Sequence, residues 1–144
     1  MSKKLKVINI ICLVVVITGI FSGCSSKNVD NNKKSLAESK KISFSNISAE
    51  KGKKRLDSEK GIILLDVRTK EEYDTGHIKG SILIPVDNLK EEAPKSLRDT
   101  NAVIFVYCRS GNRSVTAADI LVNLGYKKVY NLGGIINWPY EVVK

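Results

Sequence analysis

The stretch V-I-F-V-Y-C-R-S-G-N-R-S, from Val103 to Ser114, dictates how the rest of this chain is interpreted. Its first five residues, Val103 to Tyr107, form a continuous apolar run rich in β-branched and aromatic side chains, which is typical of a strand buried on both faces. From Ser114 onward, apolar residues recur at helical spacing and stop before Gly125, a residue suited to the position just past a helix C-terminus. The pattern therefore predicts a strand, a tight loop that starts at Cys108, and a helix that starts at Ser114.

A loop that runs into a helix N-terminus is a site for anions. The first turn of a helix leaves four backbone N–H groups unpaired, and they carry the positive end of the helix dipole. Arg109 and Arg113 add charges that persist at neutral pH. Such surroundings lower the pKa of a cysteine and favour the nucleophilic thiolate, so we expect Cys108 to be reactive. The alternative is a buried, inert cysteine at a strand end.

The charge of the chain is distributed unevenly. The formal net charge is +9 over 144 residues, but residues 1–60 carry +8 of it and residues 61–144 only +1. The globular part therefore has no basic surface of the kind that binds nucleic acid. One histidine and three scattered cysteines do not form a metal-binding pattern, and we expect neither a metal nor a cofactor.

The N-terminus has the pattern of an export signal. Three lysines precede an apolar run from Val7 to Phe21, which is too short to span a membrane comfortably. Ser22-Gly23-Cys24 follows and resembles the lipobox of bacterial lipoproteins, in which the signal is cut before the cysteine and that cysteine is acylated. We predict a signal peptide over residues 1–23, lipidation of Cys24 and attachment to the outer face of the cytoplasmic membrane. An uncleaved membrane anchor is the alternative.

Residues 24–41 are mostly polar and charged, and they predict a disordered spacer. With Cys12 in the signal and Cys24 lipidated, Cys108 would be the one remaining free thiol.

A single globular domain is predicted over residues 42–144. Thr69 and Glu72 have the spacing of a capping box that opens a helix. Gly52 is expected to interrupt the first helix, and Gly133-Gly134 to open a final turn.

Predicted strands are Ile42 to Ile47, Ile62 to Leu65, Ser81 to Ile84, Val103 to Tyr107 and Lys128 to Asn131. Predicted helices are Ser48 to Ser58, Thr69 to Tyr73, a single turn from Asn88 to Glu92, and Ser114 to Leu124. This alternation indicates an α/β fold with a parallel five-stranded sheet and helices on both faces, whose ligands bind beyond the C-terminal strand ends.

Four motifs in order resemble those of single-domain rhodanese-like proteins: Asp66 to Ser81, Ile84-Pro85, Cys108 to Ser114, and Leu132 to Trp138. The resemblance implies a rhodanese-like fold and a cysteine that carries sulfane sulfur as a persulfide. Sulfur would come from thiosulfate or a similar small anion and pass to a thiol or to cyanide. Cys108 would be the nucleophile, and the loop Arg109, Ser110, Gly111, Asn112, Arg113 and Ser114 would bind the substrate. Asp66, Arg68 and His77 would support that loop.

Two other functions stay open at this point. Related phosphatases and arsenate reductases use the loop C-x5-R around a tetrahedral oxyanion, whereas Arg113 makes the pattern here C-x4-R, which favours sulfur. A non-catalytic or sulfur-accepting binding module at the cell surface is the second alternative.

Overall fold

The computed structural model describes residues 43–144, which form a parallel sheet flanked by helices. The sheet order is β1-β5-β4-β2-β3, and every strand pair is parallel. The strands are β1 (Ser45–Asn46), β2 (Ile63–Asp66), β3 (Ile82–Leu83), β4 (Val103–Cys108) and β5 (Lys128–Gly134). The helices are α1 (Ala49–Ser58), α2 (Lys70–Thr75), α3 (Leu89–Ser96) and α4 (Asn112–Asn123), with a final 3-10 turn at Ile135–Asn137. The predicted α/β fold with five parallel strands is confirmed.

Strand β4 lies at the centre of the sheet and contributes to a core on each face. Ile104, Val106 and Cys108 pack with residues of α3 and α4, such as Ala93 and Leu121. On the other face, Phe105 and Tyr107 pack with Trp138 and with Leu56 of α1. Helices therefore cover both faces, and the continuous apolar run of β4 reflects burial on both sides.

The parallel strands bring polar residues together at their carboxyl ends. Asp66 ends β2 and pairs with Tyr107 of β4, and Cys108 at the end of β4 pairs with Gly134 of β5. A register shift between Val106 and Tyr107 separates this polar end from the regular part of the ladder. The functional loop thus begins where three strands end side by side.

Helices α3 and α4 differ from their predictions. Helix α4 begins at Asn112 rather than Ser114, because Gly111 at φ 111° turns the chain directly into the helix. Helix α3 extends over eight residues, past the single predicted turn and with Pro94 inside it. Its buried residues Leu89 and Ala93 lie four apart, and their packing against the core outweighs the low helix propensity of proline.

The prediction for Gly52 was wrong, whereas Gly134 does cap the final turn, as predicted, and also extends β5. Gly52 does not interrupt α1 but is buried in it, and a Cβ there would lie 2.5 Å from Leu132 Cδ1 of β5. The missing side chain lets α1 approach the sheet closely. Gly133 and Gly134 belong to β5, where they pair with Tyr107 and Cys108, so the strand continues past Asn131 before the chain turns.

The outer strands are shorter than predicted, with two residues each in β1 and β3. The predicted capping box of α2 is confirmed, since Thr69 and Glu72 each hydrogen-bond the other's backbone N–H. The predicted signal peptide and spacer, residues 1–23 and 24–41, lie outside the described residues. Within residues 43–144, no helix combines the length and hydropathy needed to cross a membrane.

Candidate active site

Cys108 lies at the bottom of a loop that wraps around its sulfur. The residue is 1% exposed, and its Sγ accepts a hydrogen bond from the Gly111 N–H at 3.1 Å. Gly111 adopts φ 111°, a value that L-residues with a side chain rarely adopt, and this conformation aims its N–H back at the sulfur. The three residues Arg109 to Gly111 therefore form a closed turn between β4 and α4.

Hydrogen bonds from this turn activate the thiol. Burial by itself raises the pKa of Cys108, but the hydrogen bond from the Gly111 N–H, together with the dipoles of the nearby Ser114 and Ser110 backbone N–H groups, outweighs it. The net result is a pKa below the ordinary thiol value. The anion cradle is thus built chiefly from backbone dipoles at the start of α4.

The Ser114 hydroxyl has closer partners than the sulfur. Its Oγ lies 2.7 Å from the Gly111 carbonyl oxygen and 2.7 Å from Asn131 Oδ1. A hydroxyl has one hydrogen to donate, and oxygen is a better acceptor than sulfur. Ser114 therefore acts mainly as a clamp between the loop and β5, and the backbone N–H groups supply most of the stabilisation of a thiolate.

Asn131 connects three parts of the site. Its Oδ1 accepts hydrogen bonds from Ser114 and from the Gly133 N–H at 3.0 Å, and its Nδ2 donates to Asn46 Oδ1 of β1. The side chain is buried, with 8% of the residue exposed. This amide fixes the start of α4 relative to the two strands beneath it.

Arg113 forms an ion pair with the carboxylate of Glu72. Its Nη1 and Nη2 donate to Glu72 at 2.6 and 2.8 Å, a bidentate pair that links the thiol loop to α2. The hydrogen bond from Arg113 lowers the pKa of Glu72 to about 2 against the opposing effect of burial. Glu72 raises the pKa of Arg113, and the nearby Cys108 sulfur adds to that rise. Arg113 is therefore held to α2 by a carboxylate that neutralises much of its charge.

Arg109, Ser110 and Asn112 have exposed side chains on the outer side of the turn. Among the described residues, no carboxylate lies within ion-pair distance of the Arg109 guanidinium. Arg109 lines an open depression of about 480 Å³ together with Arg68, Glu71, Glu72, Thr75, Ile135 and Ile136. Of the two loop arginines predicted to attract an anion, Arg109 is the one without a carboxylate partner in the part of the chain described.

Asp66 and Arg68 form a buried brace behind the loop. Both nitrogens Nε and Nη2 of Arg68 bind Asp66 Oδ2, at 2.9 and 2.7 Å, and Nη2 also donates to the Gly76 carbonyl oxygen at 2.8 Å. Arg68 is 5% exposed and Asp66 is fully buried. The pair ties the end of β2 to the segment that follows α2.

His77 contacts other residues than the thiol. Its ring stacks on Tyr73 at 3.8 Å between centroids, and its Nδ1 lies 3.2 Å from the Tyr73 carbonyl oxygen. Its backbone exchanges two hydrogen bonds of 2.8 Å with Val143 near the carboxyl terminus. These contacts give His77 a place in the scaffold of the loop that precedes β3.

Gly134 lies against the thiol loop. A Cβ at this position would be 2.6 Å from the Arg109 carbonyl oxygen and 2.7 Å from Ser110 Cα. The same carbonyl accepts a hydrogen bond from the Ile136 N–H at 3.2 Å. Close approach, and not an unusual φ, is therefore what requires glycine here.

The sequence interpretation missed the roles of Glu72, Asn131 and Gly134 at this site. Glu72 was assigned only to the capping box, and a pairing with Arg113 across 41 positions leaves no local pattern. Asn131 had a usable signal, since a polar residue at the carboxyl end of an apolar strand also marks Asp66. In the described range, no group of three or more His, Cys, Asp or Glu side chains could hold a metal ion.

Comparison with known proteins identifies a family. A family model described as the rhodanese-like domain matches residues 48–140. The thiosulfate sulfurtransferase PspE of Escherichia coli is 39% identical over 80 residues, which are 56% of this chain and 77% of that protein. A sulfurtransferase of Allochromatium vinosum is 37% identical over 93 residues, 64% of this chain and 85% of that protein.

A solved structure has the same fold. The structure titled "rhodanese with anions from E. coli" superimposes with a TM-score of 0.55 at 36% identity, covering 58% of this chain and 98% of that one.

Proposed function

This chain belongs to the family of rhodanese-like domains, and we propose that it moves sulfane sulfur from thiosulfate or a related anion to an acceptor through a persulfide on Cys108. The observation that carries the proposal is the Cys108 sulfur, held 3.1 Å from the Gly111 N–H in a turn that lowers its pKa. Similar proteins named as sulfurtransferases support the same class of reaction.

In the first step the Cys108 thiolate attacks the outer sulfur of thiosulfate. A bond forms between Sγ and that sulfur, the sulfur–sulfur bond of thiosulfate breaks, and sulfite leaves with the electron pair. The product is a persulfide anion on Cys108. The N–H groups that stabilise the thiolate are suited to the persulfide as well, because both species are monoanions at the start of α4.

In the second step a nucleophilic acceptor, a thiolate or cyanide, attacks the outer sulfur of the persulfide. The sulfur–sulfur bond breaks, and Cys108 recovers its thiolate. The charge of the cysteine sulfur is the same before and after the cycle. No acid or base needs to act on it, which agrees with the place of His77 beside Tyr73.

The short loop favours sulfur transfer over phosphoryl transfer. Arg113 occupies the fifth position after Cys108 and is already bound by Glu72 on two nitrogens. An oxyanion would need donors at several oxygens, whereas a single sulfur atom needs donors around one point.

Mass spectrometry of the full chain after thiosulfate treatment tests the proposal. We expect one added sulfur atom on Cys108 and release of sulfite. Cys108→Ser is the control and should lose both the adduct and thiosulfate:cyanide activity. Hydrolysis of an aryl phosphate without persulfide formation would indicate a phosphatase instead. An unmodified Cys108 with neither activity would favour a binding module.

We also propose that lipidation of Cys24 anchors the domain to the outer face of the cytoplasmic membrane. The short apolar run from Val7 to Phe21 and the Ser22-Gly23-Cys24 sequence support this placement. Cys24→Ala should leave an unprocessed precursor or release the protein from the membrane fraction. Identical N-termini and identical membrane retention in both proteins would contradict lipidation.

A further inference from the structure

The depression beside the thiol loop has an apolar side that the donor reaction does not use. Its volume of about 480 Å³ is in the range of sites for small molecules, roughly 300–1,000 Å³. Ile135 and Ile136 supply its apolar lining, and Arg68, Glu71 and Glu72 are among its charged lining residues. Thiosulfate is a small polar dianion and has no carbon surface to place against two isoleucines.

The depression borders the thiol loop. Glu72 in its lining holds Arg113, in the first turn of α4, at 2.6 Å. Arg109 in the same lining follows Cys108 directly, and its carbonyl oxygen is bound by the Ile136 N–H at 3.2 Å. A molecule in the depression is therefore next to the loop that would carry the persulfide.

Ile136 exposes apolar surface that a bound molecule could cover. It is 65% exposed, more than the other large hydrophobic side chains that are exposed in the described part of the chain, Ile82, Val115 and Val142. Covering exposed apolar surface is favourable in proportion to the area removed from water. A hydrogen-bonded backbone holds Ile136 in place at the edge of the depression, so the surface is preformed.

We propose that this depression binds the carbon chain of the sulfur acceptor, and that the acceptor is an organic thiol whose apolar part covers Ile135 and Ile136. The inference rests on the proposed sulfur transfer and names its acceptor class. Cyanide has no carbon chain, so it cannot use this wall. Among thiols, the site selects those with an apolar substituent next to the sulfur.

The transfer step balances without a further reactant. The acceptor thiol loses its proton to water, and its sulfur forms a bond with the outer sulfur of the Cys108 persulfide. The sulfur–sulfur bond to Sγ breaks, and its electron pair stays on Sγ as the thiolate. The product is the persulfide of the acceptor; Sγ is reduced from persulfide to thiolate as the acceptor sulfur is oxidised, and over the whole cycle the protein is neither oxidised nor reduced.

Single-turnover sulfur transfer to two uncharged thiols tests this inference. The full chain is loaded with thiosulfate, excess donor is removed, and the loss of the persulfide mass is followed after adding mercaptoethanol or mercaptohexanol. The readout is the ratio of the two second-order rates, which cancels differences in folding and loading. Each partly covered methylene should contribute about two- to fourfold, so the longer thiol should react at least tenfold faster.

Ile136→Ser should lower this ratio by about three- to tenfold, because it removes the apolar wall and leaves Cys108 in place. Ile82→Ser, at an exposed residue of the edge strand β3, is the matched control and should retain the wild-type ratio. A wild-type ratio near one, or the same ratio in Ile136→Ser, would overturn the inference while sulfur transfer still stands. Failure of Cys108 to form any persulfide in the loading step would refute the proposed function, and this inference with it.

Discussion

Gly134→Ala should displace the thiol loop while leaving every side chain of the site intact. A Cβ at Gly134 would lie 2.6 Å from the Arg109 carbonyl oxygen, whereas ordinary contact begins at 3.4 Å. The loop or the end of β5 must therefore move by about 0.8 Å, and the atoms in contact are backbone atoms that cannot rotate away. Gly134 has φ −110° and ψ 137°, which alanine adopts freely, so steric conflict is the whole effect.

Such a movement reaches the sulfur directly. Arg109 and Ser110 connect Cys108 to Gly111, whose N–H donates a hydrogen bond of 3.1 Å to Sγ. A hydrogen bond weakens when the distance or angle between its atoms changes, so a shift of these two residues weakens this one. Misplacement by about 1 Å costs on the order of 10²-fold in rate, and overpacking typically costs about 1–3 kcal/mol in the free energy of unfolding. We expect sulfite release from thiosulfate in a single turnover to slow by about 10–100-fold in Gly134→Ala.

Gly52→Ala is the matched control for this experiment. Its Cβ would also meet an atom at 2.5 Å, but that atom is Cδ1 of Leu132, the end of a flexible side chain that packs with Phe105 and Tyr107 on the face of the sheet opposite Cys108. Alanine also has the higher helix propensity within α1. We expect Gly52→Ala to keep the wild-type rate of sulfite release. Equal rates in Gly134→Ala and Gly52→Ala would refute the steric argument.

Three further predictions follow from the charges of the site. Because the pKa of Cys108 is lowered from the ordinary thiol value of 9.0, its alkylation by iodoacetamide should be half-maximal below that pH, and a midpoint at or above it would contradict the role of the loop N–H groups. The pKa of Glu72 falls from 4.5 to about 2 on folding, so its contribution to stability is complete above pH 4.5 and is lost as the pH falls towards 2. The melting temperature of Glu72→Gln should therefore lie below that of wild type at pH 7, and the difference should shrink by pH 3. An equal difference in melting temperature at both pH values would contradict this prediction. Asp66→Asn leaves the buried guanidinium of Arg68 without its counter-charge and should lower the free energy of unfolding by about 3–5 kcal/mol in urea titrations, whereas a loss below about 1 kcal/mol would show that the brace is dispensable.

Local patterns were sufficient to predict most of the sheet. The apolar run of β4 is long enough to be recognised without knowledge of its neighbours, and the capping box of α2 depends on residues three positions apart. The parallel arrangement follows from strands that alternate with helices. From it, the position of Cys108 at the carboxyl edge of the sheet could be predicted as well.

Long-range contacts account for what the sequence could not predict. Pro94 argues against a helix locally, and only the core beneath α3 reveals why that helix forms. From the sequence alone, Glu72 and Arg113 each have the pattern of exposed surface charges. Their ion pair forms because the fold places α2 beside α4. The sequence does not distinguish Gly134 from an ordinary turn glycine. Glycine is required there because the Arg109 carbonyl oxygen lies 2.6 Å from the position that a Cβ would take.

The two hydrogen bonds between His77 and Val143 have a practical consequence for anyone who handles this protein. Segments that follow the last element of a domain are often loosely held, but Val143 closes a small antiparallel bridge with His77, next to the Gly76 carbonyl that accepts a hydrogen bond from Arg68. A purification tag placed directly after Lys144 would lie one residue from that bridge, and deletion of residues 141–144 would leave the His77 N–H and carbonyl without these partners. A cleavable tag with a flexible linker is therefore the safer choice at this end of the chain.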